Sequence, residues 1–256
     1  MKTIFLGLIG LICGGCAGAS VEVMPRLAML DSSGNFGISS TGTVAHNDLS
    51  DLGLDQGDDS VVGARVDADV LVAHLILSGL SMSLSGDGAL TGDLSQGGTT
   101  ISAGTTVTSS LDFDTLSLYG TFDFLPTQMF ELGLGLGVTG LQMQGDIAEK
   151  AVPTNKVSFD ESFALPVIAV TGAVNVGSLG ASLLLAGMDF SHSGDSVTYT
   201  DIDLNAHWQF VDSVVNAKLF LGWRQIATDA KFQSSGDDVA VDVTFSGPYL
   251  GISVGI

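Results

Sequence analysis

The sequence predicts an all-β chain that folds as a transmembrane antiparallel up-and-down β-barrel of about ten strands, with eight as the alternative count. Three observations predict this fold. Long segments alternate apolar and polar residues with a period of two, which is typical of strands with two unlike faces. The mean hydropathy is +0.44, yet no run after the first residues reaches the roughly eighteen apolar residues of a membrane helix. Long and short connections also alternate along the chain, as they do in membrane barrels.

The clearest element is a hairpin over residues 198–226, whose two strands are joined by the short link 211–214. Each strand is about as long as the roughly nine to eleven residues of a tilted membrane crossing. Aromatic residues gather beside the short turns, as interfacial girdles do, and the polar face contains few lysines. We therefore expect the apolar face to contact lipid rather than to form the core of a soluble barrel. The apolar residues are Ile202, Leu204, Ala206, Trp208 and Phe210 on the first strand, and Val215, Ala217, Leu219, Leu221 and Trp223 on the second.

The first residues have the features of a secretory signal peptide, which we assign to residues 1–19. Lys2 gives the positive start, residues 4–12 the apolar core, and residues 17–19 the small-residue cleavage pattern. A lipoprotein anchor on Cys16 is the alternative. The chain's two cysteines, at positions 13 and 16, both lie in this segment, so the exported barrel over residues 20–256 would contain no thiol, no disulfide and no cysteine-bound metal.

The formal charge of −20 argues against nucleic acid as a partner, because phosphate binding requires a cationic surface. Many acidic residues lie in a predicted outer loop, where they would keep the loop solvated. Divalent cations bridging these carboxylates to neighbouring lipid are an alternative, although the spacing is not that of a calcium loop. No cofactor is indicated. The loop carboxylates are Asp48, Asp51, Asp55, Asp58 and Asp59.

The remaining strands follow from the same alternation, and two features of the pattern need comment. Leu111 and Phe113 are out of phase with the following residues, which predicts a β-bulge near Asp114. Two late strands are apolar on both faces, so their register is less well determined. We expect strands over 21–30, 61–70, 74–84, 111–124, 130–138, 163–176, 179–190 and 237–256, with long loops at 31–60, 85–106, 144–161 and 227–236.

The chain ends GPYLGISVGI, in which apolar residues alternate with small ones. Tyr249, Gly251, Val254 and Ile256 lie at the spacing of a terminal-strand insertion signal, although the usual last residue is Phe. In this respect the chain resembles bacterial outer-membrane β-barrel proteins of the small-barrel class. The resemblance implies export to the outer membrane of a Gram-negative envelope, contact with outer-membrane lipid, and recognition by the barrel-insertion machinery.

The polar face that this register turns inward predicts an ion-paired lumen. Charges in a narrow interior require partners, since an unpaired buried charge costs several kcal/mol. We therefore expect a plugged barrel with a structural or surface-interaction role and no enzymatic activity. The glycines at 133, 135 and 137 would make room for Tyr119, Tyr199 or His207 opposite them. The predicted network contains Glu22, Arg26, Arg65, Asp67, Asp69, Asp123, Glu131, Asp201, Asp203, His207, Lys218 and Arg224.

Two alternatives remain open from the sequence. An inward apolar patch of Leu165, Val167, Leu183 and Leu185 would suit a narrow channel or binding barrel for small hydrophobic molecules. His207 with Asp203 and Asp201 is a His/carboxylate cluster of the kind that lipid A deacylases or omptin-like proteases use, but it lies near the predicted periplasmic turn. A wide porin is unlikely, because water-filled pores generally need about sixteen strands.

Overall fold

The computed structural model describes residues 19–40, 42, 44–55, 60–70, 72–125, 129–192, 195–234 and 236–256. Most of the predicted signal peptide and of the turn 125–128, together with Asp58 and Asp59, lies outside the described residues. Within them, no helix is long and apolar enough to cross a membrane. The strands are β1 (Ala19–Met29), β2 (Asp31–Ser39), β3 (Asn47–Asp48), β4 (Ser60–Val70), β5 (Ala73–Ala89), β6 (Leu94–Gln96), β7 (Thr99–Ile101), β8 (Thr106–Asp123), β9 (Phe130–Glu149), β10 (Lys156–Val176), β11 (Leu179–His192), β12 (Asp195–Val211), β13 (Asn216–Ser234) and β14 (Asp237–Gly255).

The long strands form a closed antiparallel ring. Each pairs with its neighbour in the order β1, β4, β5, β8, β9, β10, β11, β12, β13, β14, and β14 pairs with β1 to close the barrel. Strands β1 and β2 both pair with β14, β1 with its second half and β2 with its first half. Together they are one wall strand interrupted at Leu30. Among the described residues the ring therefore has ten strands, which confirms the predicted fold class and count.

The strands are longer than the sequence predicts, and the segments predicted as long loops are mostly barrel wall. Residues 31–39, 85–89, 144–149 and 227–234 all belong to strands. Their Gly, Ser, Thr and Asp content is typical of loops. Here it reflects a wall whose outer face contacts water instead of lipid, so that polar side chains point outward from paired strands.

The phase change in β8 is an inversion of polarity without a bulge, so the bulge predicted near Asp114 is wrong. Pairing to β5 and β9 continues without interruption across this position. Leu111 and Phe113 point inward and are buried, whereas Leu116 and Leu118 point outward and are exposed. The outer face thus changes from polar to apolar between residues 114 and 116, which marks the edge of the apolar belt.

The apolar belt surrounds the half of the barrel that contains the short turns, and we call this half the lower barrel. Its outward side chains are large and exposed, and aromatic residues flank the turns as predicted. Trp208 and Trp223 of the clearest hairpin are about half exposed. This outward orientation is the one expected of a wall in contact with lipid. Exposed belt residues include Leu27, Val62, Leu75, Leu118, Phe122, Phe124, Phe130, Leu134, Leu136, Ile168, Leu204, Phe210, Leu221, Leu250 and Ile252.

The upper barrel has the opposite arrangement, with an apolar interior. Rings pack there at short distance, for example Phe36 on Phe159 with centroids 5.1 Å apart and Phe113 on Phe245 at 4.7 Å. Such contacts are typical of a soluble protein core. The upper interior is therefore filled by side chains.

A loop completes the upper wall where β4 is too short to reach. Residues 49–54 occupy the gap between β2 and β5, and the amide of Leu49 donates to the Gly34 carbonyl at 2.9 Å. On the other side the Ala89 amide donates to the Asp51 carbonyl at 2.8 Å. Gly88 permits this approach, because a Cβ there would lie 1.9 Å from the Asp51 oxygen. Leucines 49, 52 and 54 of this loop are buried and extend the apolar core.

The outer face of the upper barrel is polar and acidic. Lys150 Nζ donates to Asp87 Oδ2 at 2.8 Å, and Thr108 Oγ1 donates to Asp87 Oδ1 at 2.7 Å. The hydrogen bond from Lys150, followed by that from Thr108, lowers the pKa of Asp87 below its usual value. The outer face of the upper barrel therefore has the polarity of a surface in contact with water.

The polarity inversion predicts that a charge is tolerated above the belt and not within it. Leu134 and Gln142 both point outward from β9, Leu134 inside the belt and Gln142 above it. We expect Leu134→Lys to lower the free energy of unfolding by about 2–4 kcal/mol, the cost of a cation facing mid-membrane lipid. Gln142→Lys should change it by less than about 0.5 kcal/mol.

The measurement is urea unfolding of both variants in lipid vesicles, in which the folded fraction is read from the heat-modifiable band on gels. Equal destabilisation of the two variants would contradict the position of the belt.

Candidate functional site

The lumen of the lower barrel is organised around two aspartates of β12. Asp201 and Asp203 are two residues apart, so both point to the same side of the strand. Both are inward and almost completely buried. A pair of carboxylates in this position requires cations and hydrogen-bond donors from the opposite wall.

Three arginines from three other strands supply the opposite charge. Arg26 Nη1 lies 2.5 Å from Asp203 Oδ2, and Arg65 Nη1 lies 3.5 Å from the same oxygen. Arg224 donates to Asp201 through Nε at 3.1 Å and through Nη2 at 2.9 Å, which is the bidentate geometry that guanidinium favours. Each arginine is buried.

The third carboxylate of the group is Asp67, which accepts from Arg65 Nε at 2.6 Å. Three guanidinium groups therefore meet three carboxylates, and the formal charge of the group is zero. Charge balance with many hydrogen bonds is what makes buried ion pairs tolerable in a low-dielectric interior.

The chain's three tyrosines complete this group. Tyr249 Oη donates to Asp203 Oδ1 at 2.6 Å, and Tyr119 Oη donates to Asp201 Oδ2 at 3.2 Å. Tyr199 Oη lies 3.5 Å from the same oxygen of Asp201. Arg26 also stacks on the Tyr249 ring, 4.7 Å from its centroid. We call the three arginines, the three aspartates and these tyrosines the central cluster.

Sequence reasoning missed this role of the tyrosines. It treated Tyr119 and Tyr199 as fillers opposite glycine and Tyr249 as part of an insertion signal. Their position on the inward face of strands that also have inward charged residues could have indicated this role. Which carboxylate each hydroxyl contacts depends on cross-barrel distances that a sequence does not contain.

A second polar group lies nearer the short turns. Lys218 Nζ donates to Glu22 Oε2 at 2.6 Å, and Asp69 contacts His74 Nδ1 and accepts from Ser20 Oγ at 2.9 Å. Nine of the twelve residues of the predicted network therefore belong either to the central cluster or to this lower group.

Two other members of the predicted network, Asp123 and Glu131, form no ion pair with any described residue. Both lie at the same end of the lumen. Their pairing with cations is therefore not observed.

The predicted His207 cluster is not formed. No described residue forms a hydrogen bond with His207 Nδ1, and the ring packs against Phe220 with centroids 5.4 Å apart. Asp201 and Asp203 are instead committed to arginines and tyrosines. The side chains occupy different levels of the lumen, so the arrangement contains no His/carboxylate dyad at His207.

The predicted apolar patch is half correct. Leu165 and Val167 point inward and are buried. Leu183 and Leu185 point outward, because they pair with the belt residues Leu204 and Ile202. The prediction for these two residues is wrong by one position.

The inward leucine of β11 is Leu184, which is buried. The error arose because β11 is apolar on both faces, so alternation could not determine its phase.

The glycine stripe of β9 permits close packing, as predicted. A Cβ on Gly137 would lie 2.5 Å from Tyr119 Cδ1, and one on Gly135 would lie 1.9 Å from the Gly120 carbonyl oxygen. Gly140 points outward, and its nearest neighbour would be 3.6 Å away. Only the inward glycines are required by packing.

The residues of the predicted insertion signal are divided between the two faces of β14. Tyr249 and Gly251 point inward, whereas Val254 and Ile256 are exposed on the belt. No group of three or more His, Cys, Asp or Glu among the described residues is arranged to hold a metal ion.

Comparison with known proteins gives a result for the fold only. No family model and no curated protein matches the sequence. Among solved structures, the outer membrane protease OmpT from Escherichia coli matches with a TM-score of 0.59 and 11% identity, covering 96% of this chain and 99% of that one. The chain has the fold of a bacterial outer-membrane β-barrel.

Other outer-membrane barrels match less well. A FadL homologue from Pseudomonas aeruginosa has a TM-score of 0.33 and 8% identity, over 94% of this chain and 90% of that one. The attachment protein Ail of Yersinia pestis has a TM-score of 0.28 and 7% identity, over 93% of this chain and 99% of that one. These scores are too low to support an argument about function.

The central cluster predicts a large loss of stability when one aspartate is neutralised. Asp203→Asn leaves Arg26 and Arg65 without their shared carboxylate. We expect the free energy of unfolding to fall by about 3 kcal/mol, as when one partner of a buried pair is removed. Asp229→Asn is the control, because Asp229 is exposed on the outer wall. Urea unfolding of both variants in the same vesicles tests this prediction. An unchanged free energy of unfolding in Asp203→Asn would contradict the role of the cluster.

The glycine stripe gives a second test within one strand. Gly135→Ala should destabilise the barrel by about 1–3 kcal/mol, because the added methyl group would meet fixed backbone. Gly140→Ala should be neutral or slightly stabilising, because its position is open. Comparison of the two unfolding midpoints is the measurement, and the reverse order would show that β9 does not approach β8 as described.

Proposed function

We propose that this chain is an occluded integral protein of the Gram-negative outer membrane, with a structural or surface-interaction role. The observation that supports it most directly is the central cluster, which fills the lumen with charge-balanced side chains at the level of the belt. A conducting barrel of this width would instead keep a hydrated path. Ten strands are also fewer than the roughly sixteen of water-filled porins.

The apolar interior of the upper barrel supports the same proposal. A cavity in it, lined by Phe36, Leu52 and Phe159, is no larger than a single water molecule needs. A solute would have to displace both this core and the central cluster. Neither has the geometry of a channel.

The location that we propose fixes the surroundings of each part. Outer-membrane lipid would cover the belt, the short turns and both chain ends would face the periplasm, and the acidic upper wall would face outward. We infer that a signal peptide over residues 1–19 directs export and that the barrel-insertion machinery recognises the last strand, including Tyr249, Gly251, Val254 and Ile256.

Neither alternative function has a specific observation in its favour. OmpT is a protease, but at 11% identity the likeness concerns fold. An apolar pathway would need the patch of β10 and β11 to be continuous, and Leu183 and Leu185 face the belt instead. Hydrolysis of a lipid or peptide that is abolished by His207→Ala would nevertheless establish an enzyme.

The proposal predicts electrical silence. Wild-type protein reconstituted in planar bilayers should give no conductance steps, because the lumen is closed at two levels. Tyr119→Ala/Tyr249→Ala should remain silent, since the upper core still closes the barrel.

Insertion must be verified in the same preparation by the heat-modifiable band. Regular steps from inserted wild-type protein, or uptake of an apolar probe into its vesicles, would contradict occlusion. Recovery of the protein as a detergent-free periplasmic monomer would contradict the location.

A further inference from the structure

The lower end of the lumen is a cup, closed on one side by the central cluster and open beside the short turns. We call it the acidic cup and define it by Glu22, Asp69, Asp123, Glu131 and Lys218. The side chain of Asp69 is 53% exposed and that of Glu22 is 16% exposed. The cup is therefore accessible at its rim and shielded towards its floor.

The acidic cup has an excess of negative charge that the fold does not neutralise. Lys218 is its one ammonium group, and this pairs with Glu22. Asp69 contacts a histidine, while Asp123 and Glu131 have no described ion-pair partner. With neutral histidines, four carboxylates face one ammonium group. Like charges in a low-dielectric funnel focus the field and attract cations.

A second observation, independent of charge, is a set of buried polar atoms without hydrogen-bond partners among the described residues. They include Asn205 Oδ1 and Ser253 Oγ, on residues that are 3% and 0% exposed, and also Glu22 Oε1 and Asn216 Oδ1. A buried polar atom left unpaired costs free energy. Three of the four atoms are carboxylate or amide oxygens, which require a donor, and the Ser253 hydroxyl can accept from one.

Sequence position and strand register place these acceptors around the cup: Asn205 follows Asp203 on the inner face of β12, towards the short turn. Ser253 pairs with Lys218 across β13 and β14, and Gly255 pairs with Asn216 on one side and with Glu22 on the other. A Cβ on Gly255 would lie 2.7 Å from Asn216 Oδ1. Because glycine has no side chain, the Asn216 amide packs directly against Gly255, and Asn216 Oδ1 lies on the inner wall beside the strand of Glu22.

We propose that the acidic cup binds a linear alkyl polyamine. Each ammonium group carries a positive charge and up to three N–H donors, which match the excess carboxylates and the unpaired acceptors. The described acidic and histidine side chains do not converge on a metal-sized point, so the spread of charge suits an extended ligand with separated cations. Only the side of the membrane that the cup faces rests on the proposed function.

The first test compares two probes of equal charge and chain length. Hexamethylenediamine carries primary ammonium groups, whereas hexamethonium carries quaternary ones without N–H donors. Isothermal titration calorimetry of the folded protein in a non-ionic detergent should show binding of the diamine and at least about tenfold weaker binding of hexamethonium, as expected when charge-assisted hydrogen bonds are lost. Equal affinity for the two probes, or binding of neither, would overturn the proposal.

The second test compares two variants with the same change in charge. Asp123→Asn/Glu131→Gln neutralises the cup without breaking an ion pair, and Asp229→Asn/Asp242→Asn does so on the outer wall. The cup variant should bind the diamine at least about tenfold more weakly, and the wall variant should bind it as the wild type does. An equal loss of diamine affinity in both variants would show that only net charge matters and would overturn the proposed site.

Asn205→Ala should also weaken diamine binding with no change in charge. Unchanged affinity would overturn the proposal that the unpaired acceptors bind the ligand. Since the titration is done in detergent, its result does not depend on cellular location. If the protein bound the diamine but were absent from the outer membrane, the polyamine site would be supported and the proposed function would be contradicted.

Discussion

The convergence of three guanidinium groups on Asp201 and Asp203 is the interaction on which the lower barrel depends. Each ionic group comes from a wall strand, so the cluster joins β1, β4, β12 and β13 across the lumen. None of these charges could be buried alone at acceptable cost. Filling the lumen with paired charges also removes the water that a channel would need. One set of contacts would therefore account for both the stability of the barrel and the proposed occlusion.

The strands around this cluster have two different distributions of polar and apolar side chains along their length. In the belt the outer face is apolar and the inner face polar, and above it the two faces exchange character without any change in pairing. This exchange is what a change of medium from lipid to water would require, because a side chain facing lipid must be apolar and one facing water need not be. The upper barrel can then be stabilised by an apolar core, as in a soluble protein.

The two ends of the lumen consequently differ in what they can do. The upper end is packed with leucine and phenylalanine, and the loop over residues 49–54 completes its wall. The lower end is polar and incompletely paired, with carboxylates that no described cation neutralises. Functional sites are commonly the places where a fold leaves polar groups unsatisfied. The lower end is therefore the part of this barrel where a ligand is to be sought.

The sequence by itself determined the class of fold, the ring of about ten strands and the outward face of most belt strands, because a period of two needs only local information. It identified all six charged residues of the central cluster, since inward phase follows from the same period. It misjudged strand ends, the phase of β11 and the polarity inversion at Asp114. In each case the local composition is compatible with two structures, such as a loop or a strand with a polar outer face, and the neighbouring residues in sequence cannot distinguish them.

Only the tertiary structure decided which charges meet, that the tyrosines join them, and that Asp123 and Glu131 are left out. These outcomes depend on distances across the lumen, which are fixed when the ring closes and not by any single strand.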